Sequence, residues 1–473
     1  MLLPLALCLG PALASAGSPH RPHEPQTAPS PRAVEVPAEV RGVWIPNSHS
    51  SFFESRENVA AQMQLLADAG INVVFPVVWS KGHTLFDSAV AEAVVGARTD
   101  PRYGERDPLA EVLHEAHRHG IEVIPWFEYG FADGHVTFPG KALVKHPEWA
   151  ALGVDGEPVV KNGFPWMNSL APGPQRFLTD LVVECATRYD VDGVQGDDRL
   201  PALPAEAGYD PETVARYTAA TGSPPPRDIH DAAWTQWRAD RLTDYLAVLR
   251  DAVKAVSPDL VFSMAPGAPS WALRDYLQDQ RTWVERGLVD ALHPQLYTRD
   301  MAGYRGMVDA TLAIEWLGKR RDLVSPGVLS SFRDYFISTD LALGSVATNR
   351  ERGFAGEVWF YERGLVREGG SRGRDLRKGP YRERARLPWR ESLEWRPAAV
   401  VATQSEVDGE EVWTATAEVT GSYAVWVQDA QGSPWRRLGS RHLTAGRATK
   451  LHSAQPGSLA AVEALIERRA ERE

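Results

Sequence analysis

Cysteine is nearly absent from this sequence, which has only two among its 473 residues. Cys8 lies in an apolar N-terminal segment, so a chain that loses this segment keeps Cys185 alone and forms no internal disulfide. Cys185 lies in the helical pattern LTDLVVECATRY, where we predict a small buried apolar side chain rather than a reactive thiol. A small disulfide-stabilised fold is therefore excluded, and the chain is long enough to bury a sizeable core instead.

A surplus of positive charge and long apolar runs are also missing. The chain has 51 Lys and Arg residues against 62 Asp and Glu residues, a formal net charge of −11. This balance argues against nucleic acid or an anionic membrane surface as the main partner. After residue 16 no apolar segment approaches the length of a membrane span. The sequence also lacks a P-loop and an H-E-x-x-H motif, which are signatures of nucleotide and zinc chemistry.

The N-terminal segment has the pattern of an export signal. An apolar core runs from Leu2 to Leu13, and Ala14-Ser15-Ala16 forms a small-x-small cleavage site. We therefore predict a signal peptide over residues 1–16 and an exported protein. Residues 17–37 are rich in Pro, Ser and His and poor in apolar residues, which is typical of a linker.

Between residues 38 and 365 the sequence repeats one pattern, in which a short β-rich apolar run is followed by a loop and a helical stretch. Strands that alternate with helices predict a parallel sheet, and eight such units predict a (β/α)8 barrel, an α/β fold. No G-x-G-x-x-G motif follows the first strand, which disfavours an open dinucleotide-binding sheet. The eight predicted strands lie in residues 39–45, 71–78, 121–128, 191–198, 260–266, 290–297, 323–330 and 354–362.

The character of the sequence changes after the eighth strand. Residues 366–390 form a basic, glycine-containing stretch, which we predict to be a connection. Residues 391–473 contain short alternating runs, such as EEVWTATAEV and SYAVWVQD, separated by Gly and Asp. This pattern predicts a small β-rich C-terminal domain, followed by a terminal helix over SLAAVEALIERRAERE.

Acidic residues at or near the ends of predicted strands are the candidate catalytic groups. They are Asp197, Asp198, Glu128 and Glu362. In a (β/α)8 barrel the active site lies at the C-terminal ends of the strands. Because side chains alternate along a strand, Asp197 should point into the barrel mouth and Asp198 should support it. Paired carboxylates there suit glycoside hydrolysis, in which one stays ionised and the other donates a proton to the leaving group.

The same strand ends are rich in aromatic and polar side chains that suit a sugar ligand, since sugar rings present apolar C–H faces that stack on aromatic rings. We predict a polysaccharide substrate and no cofactor. A metal-dependent hydrolase is the alternative enzyme, with His83, His135 and His293 beside Asp197 and Asp198 as candidate ligands. The predicted substrate-binding residues are Trp44, Trp79, Trp126, Tyr129, Asn168, Gln195, Arg199, His293, Gln295, Tyr297 and Trp359, and Trp166 belongs to the same aromatic group.

Six stretches within residues 38–365 carry a family resemblance. They are RGVWIPN, VVFPVVWSKGHTLFDSAV, WFEYGF, RYDVDGVQGDD, YLQDQRTWVERGLVDALHPQLY and RGFAGEVWFYE. Taken in order, they resemble the glycosyl-hydrolase-like family 10 proteins of bacteria, a (β/α)8-barrel group distinct from the numbered xylanase family. Members of that family are exported, and one branch is associated with cleavage of peptide-free peptidoglycan glycan strands. The resemblance therefore implies an exported glycan-cleaving hydrolase.

The fourth-strand phrase of that family, usually D-G-[IV]-[QH]-F-D-D-[YH], maps onto residues 192–199. The acidic pair Asp197 and Asp198 is kept, whereas Gly196 replaces an aromatic ring and Arg199 replaces Tyr or His. We expect the missing ring at position 196 to leave space behind the strand unless a helix side chain fills it. The strand-5 phrase SMAPGAPSW and His293 also depart from the family pattern, because an apolar residue is usual at position 293.

A cation at position 199 should hold nearby carboxylates ionised by lowering their pKa values. The general acid is then expected away from the fourth strand, at Glu128 or Glu362. Glu128 is slightly favoured, because the preceding Pro-Trp-Phe segment would raise its pKa by desolvation, whereas Arg363 follows Glu362. The kept acids favour a secreted glycosidase acting on a cell-wall or related polysaccharide. The changes at 196 and 199 leave a non-catalytic glycan-binding barrel as the competing hypothesis.

Overall fold

The computed structural model describes residues 37–383 and 385–390, and the backbone of strands at 393–396, 400–407, 410–417, 421–428, 436–443, 448–451 and 459–467. The predicted signal peptide, and the predicted linker up to residue 36, lie outside the described residues. No helix within the described ranges combines the length and the apolar composition needed to cross a bilayer.

Eight parallel strands form the centre of the fold, and each lies inside one of the eight predicted runs. The first and the last of them pair directly, since Val40 lies opposite Gly356. The strands are β1 Val40–Ile45, β2 Val73–Pro76, β3 Glu122–Val123, β4 Gly193–Asp197, β5 Val261–Ala265, β6 Ala291–Leu292, β7 Gly327–Leu329 and β8 Gly356–Phe360.

The strands close into a ring. Hydrogen-bonded sheets have the orders β7-β8-β1-β2-β3 and β4-β5-β6. Parallel bridges join the two sheets at both edges: Trp126 pairs with Gln195 between β3 and β4, and Gln295 pairs with Gly327 between β6 and β7. The architecture is therefore a closed eight-stranded parallel barrel with no free edge, and the predicted α/β barrel is confirmed.

Helices surround this barrel, and their ends follow ordinary capping chemistry. The Ser55 side chain accepts a hydrogen bond from the Asn58 amide at the start of α1, and Gly70 ends α1 with a φ of 89°. The helices are α1 Arg56–Ala69, α2 Ala89–Val95, α3 Pro108–Arg118, α4 Ala142–Lys145, α5 Pro172–Arg188, α6 Pro211–Thr221, α7 Ala232–Val256, α8 Pro269–Tyr276, α9 Gln280–Glu285, α10 Met301–Leu312, α11 Glu315–Lys319, α12 Thr339–Arg352 and α13 Arg363–Lys378.

Several two-stranded hairpins rise from the loops that follow the barrel strands. They are Trp79–Ser80 with His83–Thr84, Gly134–His135 with Phe138–Pro139, Val160–Lys161 with Phe164–Pro165, and Ser331–Phe332 with Tyr335–Phe336. Because they follow β2, β3 and β7, they stand at the C-terminal end of the barrel, where the candidate acids also lie.

The opposite end of the barrel is closed by the segment predicted as a basic connection. This segment contains most of α13, which has non-helical backbone angles at residues 367–370, and a short turn at Pro388–Arg390. Arg390 is buried, and its Nε lies 2.8 Å from Glu122 Oε1 at the start of β3. The Arg390 side chain also donates to the carbonyl oxygens of Asp259 and Asp192, which precede β5 and β4. One side chain thus ties three barrel strands together at their N-terminal ends.

Antiparallel pairing dominates the described strands beyond residue 391. Strand Leu459–Glu467 pairs with Leu393–Arg396 and with Gly421–Gln428, and Val400–Val407 pairs with Glu410–Ala417. The terminal helix predicted for this region is wrong over residues 459–467, which form a strand. The run LAAVEALIE supports either state locally, and backbone hydrogen bonds to a strand on each side decide in favour of the sheet. The remaining residues of the predicted terminal helix lie outside the described chain.

Candidate active site

Three carboxylates surround one guanidinium at the C-terminal ends of β3 and β4. The Nη2 atom of Arg199 lies 3.1 Å from Asp197 Oδ2, 3.4 Å from Glu128 Oε1 and 3.6 Å from Asp198 Oδ1. We call these four residues the Arg199 cluster. Glu128 follows β3 and Asp197 ends β4, and these two strands are neighbours in the barrel. The structure therefore brings three of the four predicted catalytic acids together.

The guanidinium of Arg199 is fixed by stacking and by close backbone contact. Its Cζ atom lies 5.2 Å from the ring centroids of both Tyr129 and Phe164, which is cation–π geometry. Its Nε donates to the carbonyl oxygen of Glu128 at 2.8 Å. Gly130 allows the β3 loop to approach this closely: its φ is +46°, and a Cβ there would lie 2.1 Å from the Arg199 carbonyl oxygen. Arg199 is therefore part of the site's framework.

Burial has the largest effect on the pKa values of Asp197 and Glu128. It raises the pKa of Asp197 well above the usual range, and Asp198 raises this pKa further while Arg199 opposes the shift. Burial also raises the pKa of Glu128, again against Arg199, even though 21% of the Glu128 side chain is exposed. The guanidinium does not offset the burial of these two carboxylates, so Asp197 and Glu128 retain a proton more readily than isolated acids do. The expectation that Arg199 would lower these pKa values is wrong in its net outcome, because burial outweighs the cation.

Asp197 is held by a second donor in addition to the guanidinium. Gln295 Nε2, in the loop after β6, donates to Asp197 Oδ1 at 3.2 Å and to the carbonyl oxygen of Ala265 at 3.0 Å. Asp197 is 1% exposed, and it points into the barrel as the strand alternation predicts. Asp198 lies in a turn closed by two hydrogen bonds between Asp197 and Leu200, and its side chain is 25% exposed. Donors on two sides thus fix the orientation of the Asp197 carboxylate.

Glu362, the fourth predicted acid, lies across the barrel from this cluster. It follows β8, and β4 and β8 are separated by three strands in either direction around the ring. Its Oε1 accepts a hydrogen bond from the Ser50 hydroxyl in the loop after β1, and it lines an open cavity of about 640 Å³ with residues of that loop and of α13. Burial raises the pKa of Glu362 to about 8, against the lowering effect of Ser50. Glu362 is therefore mainly protonated at neutral pH, in surroundings of its own.

Most predicted substrate-binding residues of β1, β3, β4 and β6 fill the barrel beneath the cluster. Trp44 Nε1 donates to Gln195 Oε1 at 2.6 Å, and the Trp44 and Trp126 rings are 6.3 Å apart. His293 is fully buried against Trp44, and burial lowers its pKa to about 4, so it packs as a neutral ring where the family has an apolar residue. Above them, Tyr297 stacks on Phe360 with centroids 4.9 Å apart.

Other predicted substrate-binding residues point away from the mouth. Trp79 donates to the Gly130 carbonyl oxygen at 3.0 Å, and Trp166 packs 5.7 Å from the Tyr276 ring. Asn168 Nδ2 donates to Asp210 Oδ2 at 2.8 Å. Trp359 faces the helices, where its Nε1 donates to the Tyr381 hydroxyl at 3.1 Å. These four side chains are almost fully buried, and they support loops and helices rather than present a surface to a ligand.

The histidines considered for a metal site do not converge. His83 lies in the hairpin after β2, His135 contacts the Thr137 hydroxyl in the hairpin after β3, and His293 lies inside the barrel. Within the described part of the chain, no group of three or more His, Cys, Asp or Glu side chains is arranged to hold a metal ion.

The space behind Gly196 is filled, but not by the helix side chain that the sequence analysis considered. A Cβ at this position would lie 2.5 Å from the carbonyl oxygen of Leu200 and 2.5 Å from Cε of Met264. Met264 belongs to β5, so the filling group comes from the neighbouring strand and the β4 turn rather than from a helix. The aromatic ring usual in the family would collide with both.

Two residues of the site were missed from the sequence. Ser80 donates from its hydroxyl to Glu128 Oε2 at 3.3 Å, and Phe164 covers one side of the Arg199 guanidinium. Phe164 belongs to the hairpin Val160–Lys161 with Phe164–Pro165, whose turn is Asn162-Gly163. An Asn-Gly pair between apolar residues is a strong hairpin signal, so this element could have been predicted. Nothing in the sequence marked Ser80.

A family model described as Glycosyl hydrolase-like 10 matches residues 39–337, which is more than half of the chain. The chain belongs to this family. It is 26% identical over 308 residues to glycosyl hydrolase DigH of Escherichia coli, covering 54% of this chain and 65% of that protein. It is 25% identical over 298 residues to glycosyl hydrolase YngK of Bacillus subtilis, covering 55% of this chain and 54% of that protein. The chain thus spans between half and two thirds of the length of these curated relatives.

Solved structures with the same fold include glycoside hydrolases. The PgaB (BpsB) glycoside hydrolase domain from Bordetella bronchiseptica superposes with a TM-score of 0.55 at 15% identity, over 72% of this chain and 98% of that one. The catalytic domain of β-amylase from Paenibacillus polymyxa gives a TM-score of 0.50 at 12% identity, over 71% and 95% of the chains. At these identities the likeness shows a shared barrel fold. Family membership and fold together support a function of the glycosidase type.

Proposed function

We propose that this protein is an exported glycoside hydrolase that cleaves glycosidic bonds in a bacterial cell-wall glycan of the peptidoglycan type. The observation that carries the proposal is the Arg199 cluster, in which two acids from adjacent strand ends share one cation at the mouth of a closed barrel. The substrate is the finer part of the proposal, and two observations support it. Relatives of this chain are named glycosyl hydrolases, and the sequence resembles a group with a branch that acts on peptide-free glycan strands.

The hydrogen-bond donors distinguish the two proposed catalytic carboxylates. Asp197 accepts from Arg199 and from Gln295, and both bonds favour its ionised form. Glu128 has a hydroxyl donor at 3.3 Å and a longer guanidinium contact at 3.4 Å, and it is the more exposed of the two. The donors to Asp197 oppose its raised pKa more strongly than the donors to Glu128 oppose its own raised pKa, and we assign the general acid to Glu128 because its greater exposure lets it reach a leaving-group oxygen. Asp197 stabilises or attacks the developing positive charge at the anomeric carbon.

The direct test is the release of reducing ends from peptide-free peptidoglycan glycan strands. Asp197→Asn keeps the side-chain volume and removes the charge, so we expect turnover to fall by roughly 10²–10⁴-fold while the fold is retained. Asp198→Asn should lose less, because Asp198 makes the longest of the three contacts with Arg199. Asp251→Asn makes the same chemical change on the exposed surface of α7 and should have no effect.

The outcomes separate the alternatives. If the parent protein releases no reducing ends but binds the glycan, the competing function of a non-catalytic glycan-binding barrel is supported. Near-normal turnover in Asp197→Asn would contradict the assignment of Asp197 as a catalytic carboxylate. Activity only on polysaccharides unrelated to cell walls would leave a glycosidase and contradict the proposed substrate.

Export and the C-terminal organisation are part of the same proposal. We infer a mature chain that begins near Gly17, so N-terminal sequencing of secreted protein should give a sequence starting there rather than at Met1. We also propose that the paired strands between residues 393 and 467 form a small separate β-rich domain. Limited proteolysis that cuts near residue 391 and leaves two stable fragments would support this division.

A further inference from the structure

Trp271 is unlike the other tryptophans of the described chain. It is 41% exposed, and it is the only tryptophan there among the exposed large apolar side chains. It lies at the start of α8, in the segment that follows β5. The tryptophans with at most 3% exposure are Trp44, Trp79, Trp126, Trp166, Trp234, Trp283 and Trp359. Trp271 therefore presents a large apolar ring to solvent at the active-site end of the barrel, which makes it a candidate ligand contact.

The ring of Trp271 is held in a fixed place. A Cβ on Gly267 would lie 2.6 Å from Cζ3 and 2.7 Å from Cε3 of the ring, so the ring rests directly against the Gly267 backbone. Tyr276 supports it from another side, with ring centroids 5.0 Å apart. Gln280 Nε2 donates to the Gly267 carbonyl oxygen at 2.9 Å and thereby anchors the loop beneath the ring. The side chain is thus supported from below and open above.

The loop that leads to this ring follows the strand beside Asp197. β5 pairs with β4, and Ala265 is the register partner of Asp197, so Gly267 is only two residues beyond the level of that acid. Tyr276 completes the link, because burial and then the charge of Asp198 raise its pKa to about 12. The Tyr276 hydroxyl accepts a hydrogen bond from Asn162 Nδ2 at 2.9 Å. The order along the rim is therefore the acid cluster, Tyr276 and then Trp271.

We propose that Trp271 is a stacking platform for a pyranose ring of the glycan, one that lies beside the unit bound at Asp197. The proposal rests on the proposed function and adds a subsite to it. A flat apolar ring bordered by hydroxyl and amide groups matches a sugar, which has apolar C–H faces and a rim of hydroxyls. The adjacent carboxylates disfavour a nucleic acid, and a single open ring is too small an apolar area for a stable protein interface.

The test is a binding measurement with chitohexaose, a uniform β-1,4-linked N-acetylglucosamine oligomer. Each variant carries Asp197→Asn as well, so that the ligand survives a calorimetric titration. We expect Trp271→Ala to weaken binding about ten-fold or more, and Trp271→Tyr to restore most of the affinity. Gly267→Ala should also weaken binding, because its new Cβ displaces the ring while the ring itself is kept.

Val248→Ala is the control. Val248 is 61% exposed on α7 and belongs to none of the loops at the barrel mouth, so its truncation should leave the affinity unchanged. Unchanged melting temperatures would show that the Trp271 variants lose a contact rather than the fold. Equal affinity of Trp271→Ala and its parent, or no binding of chitohexaose by the parent, would overturn the platform. Trp271-dependent binding without any release of reducing ends by the native protein would keep the platform and contradict the hydrolase.

Discussion

At the scale of single residues, Arg199 is the group around which the candidate acids are arranged. It contacts three carboxylates, and its cation–π contacts with the rings of Tyr129 and Phe164 restrict its movement toward any one of them. A cation nearest to Asp197 opposes the burial that raises the pKa of this carboxylate, so Arg199 favours the ionised form of Asp197 more than that of its neighbours. The residue that departs most from the family phrase is therefore the one that organises the cluster.

The loss of rate on removal of the general acid should depend on the leaving group of the substrate. An aryl glycoside needs little protonation, so Glu128→Gln should lose far less rate on aryl glycosides than on natural glycan strands, where we expect roughly 10²–10⁴-fold. The measurement is kcat/KM on both substrates. Glu362→Gln is the comparison variant: it should affect both substrates equally if Glu362 lies outside the chemistry. The opposite pattern would make Glu362 the acid.

Glu362 should also make the protein less stable as the pH rises. Its pKa is about 8 in the folded protein against an ordinary value of 4.5, so the folded state holds the proton more tightly than the unfolded state. The stabilisation is complete below about pH 4.5 and is lost progressively as the pH rises to about 8. Glu362→Gln removes this dependence, so its melting temperature relative to the parent should increase between pH 5 and pH 8. A constant difference across that range would contradict the shifted pKa.

At the scale of elements, the site depends on the contact between the loop after β3 and the turn after β4. Gly130→Ala should break this contact, because its Cβ would lie 2.1 Å from the Arg199 carbonyl oxygen and its φ is +46°. We expect a loss of several kcal/mol in the free energy of unfolding, measured in urea, and a loss of activity. Gly222→Ala is the control. Its φ is +79° with open space around it, so it should cost only about 1 kcal/mol.

The strands and the facing of their side chains were predictable because each barrel strand is a short apolar run with a period of two. This pattern placed Asp197, Gln195 and Gln295 inside the barrel. The hairpins at the mouth were not predicted, although Asn162-Gly163 marked one of them. Trp359 was assigned to the site because aromatic residues on strands look alike in sequence, and only its contact with Tyr381 shows that it faces the helices. The protonation states of the acids could not be predicted either, since they depend on burial, which a local sequence pattern does not show.

At the scale of the whole molecule, Arg390 holds the N-terminal end of the barrel together. Arg390→Ala would leave Glu122 buried without its cation, so we expect a loss of about 3–5 kcal/mol in the free energy of unfolding. The rate constant kcat should be unchanged, because Arg390 lies at the end of the barrel opposite to the Arg199 cluster. Arg241→Ala, which breaks an exposed ion pair on α7, should cost less than about 1 kcal/mol. Equal losses of unfolding free energy in the two variants would show that the buried Arg390 contacts stabilise the protein no more than an exposed ion pair does.

The contacts of Arg390 also determine how much of the chain is needed for a stable barrel. The family match ends at residue 337, yet the eighth barrel strand is Gly356–Phe360, and the contact between Arg390 and Glu122 needs residues up to 390. A recombination event or a deletion between these points would separate Glu122 from its cation while leaving the acids of the Arg199 cluster in place. We expect such a chain to keep these acids without a stable barrel to hold them. We therefore expect the smallest part of this chain that folds on its own to extend through Arg390, more than fifty residues past the end of the family match.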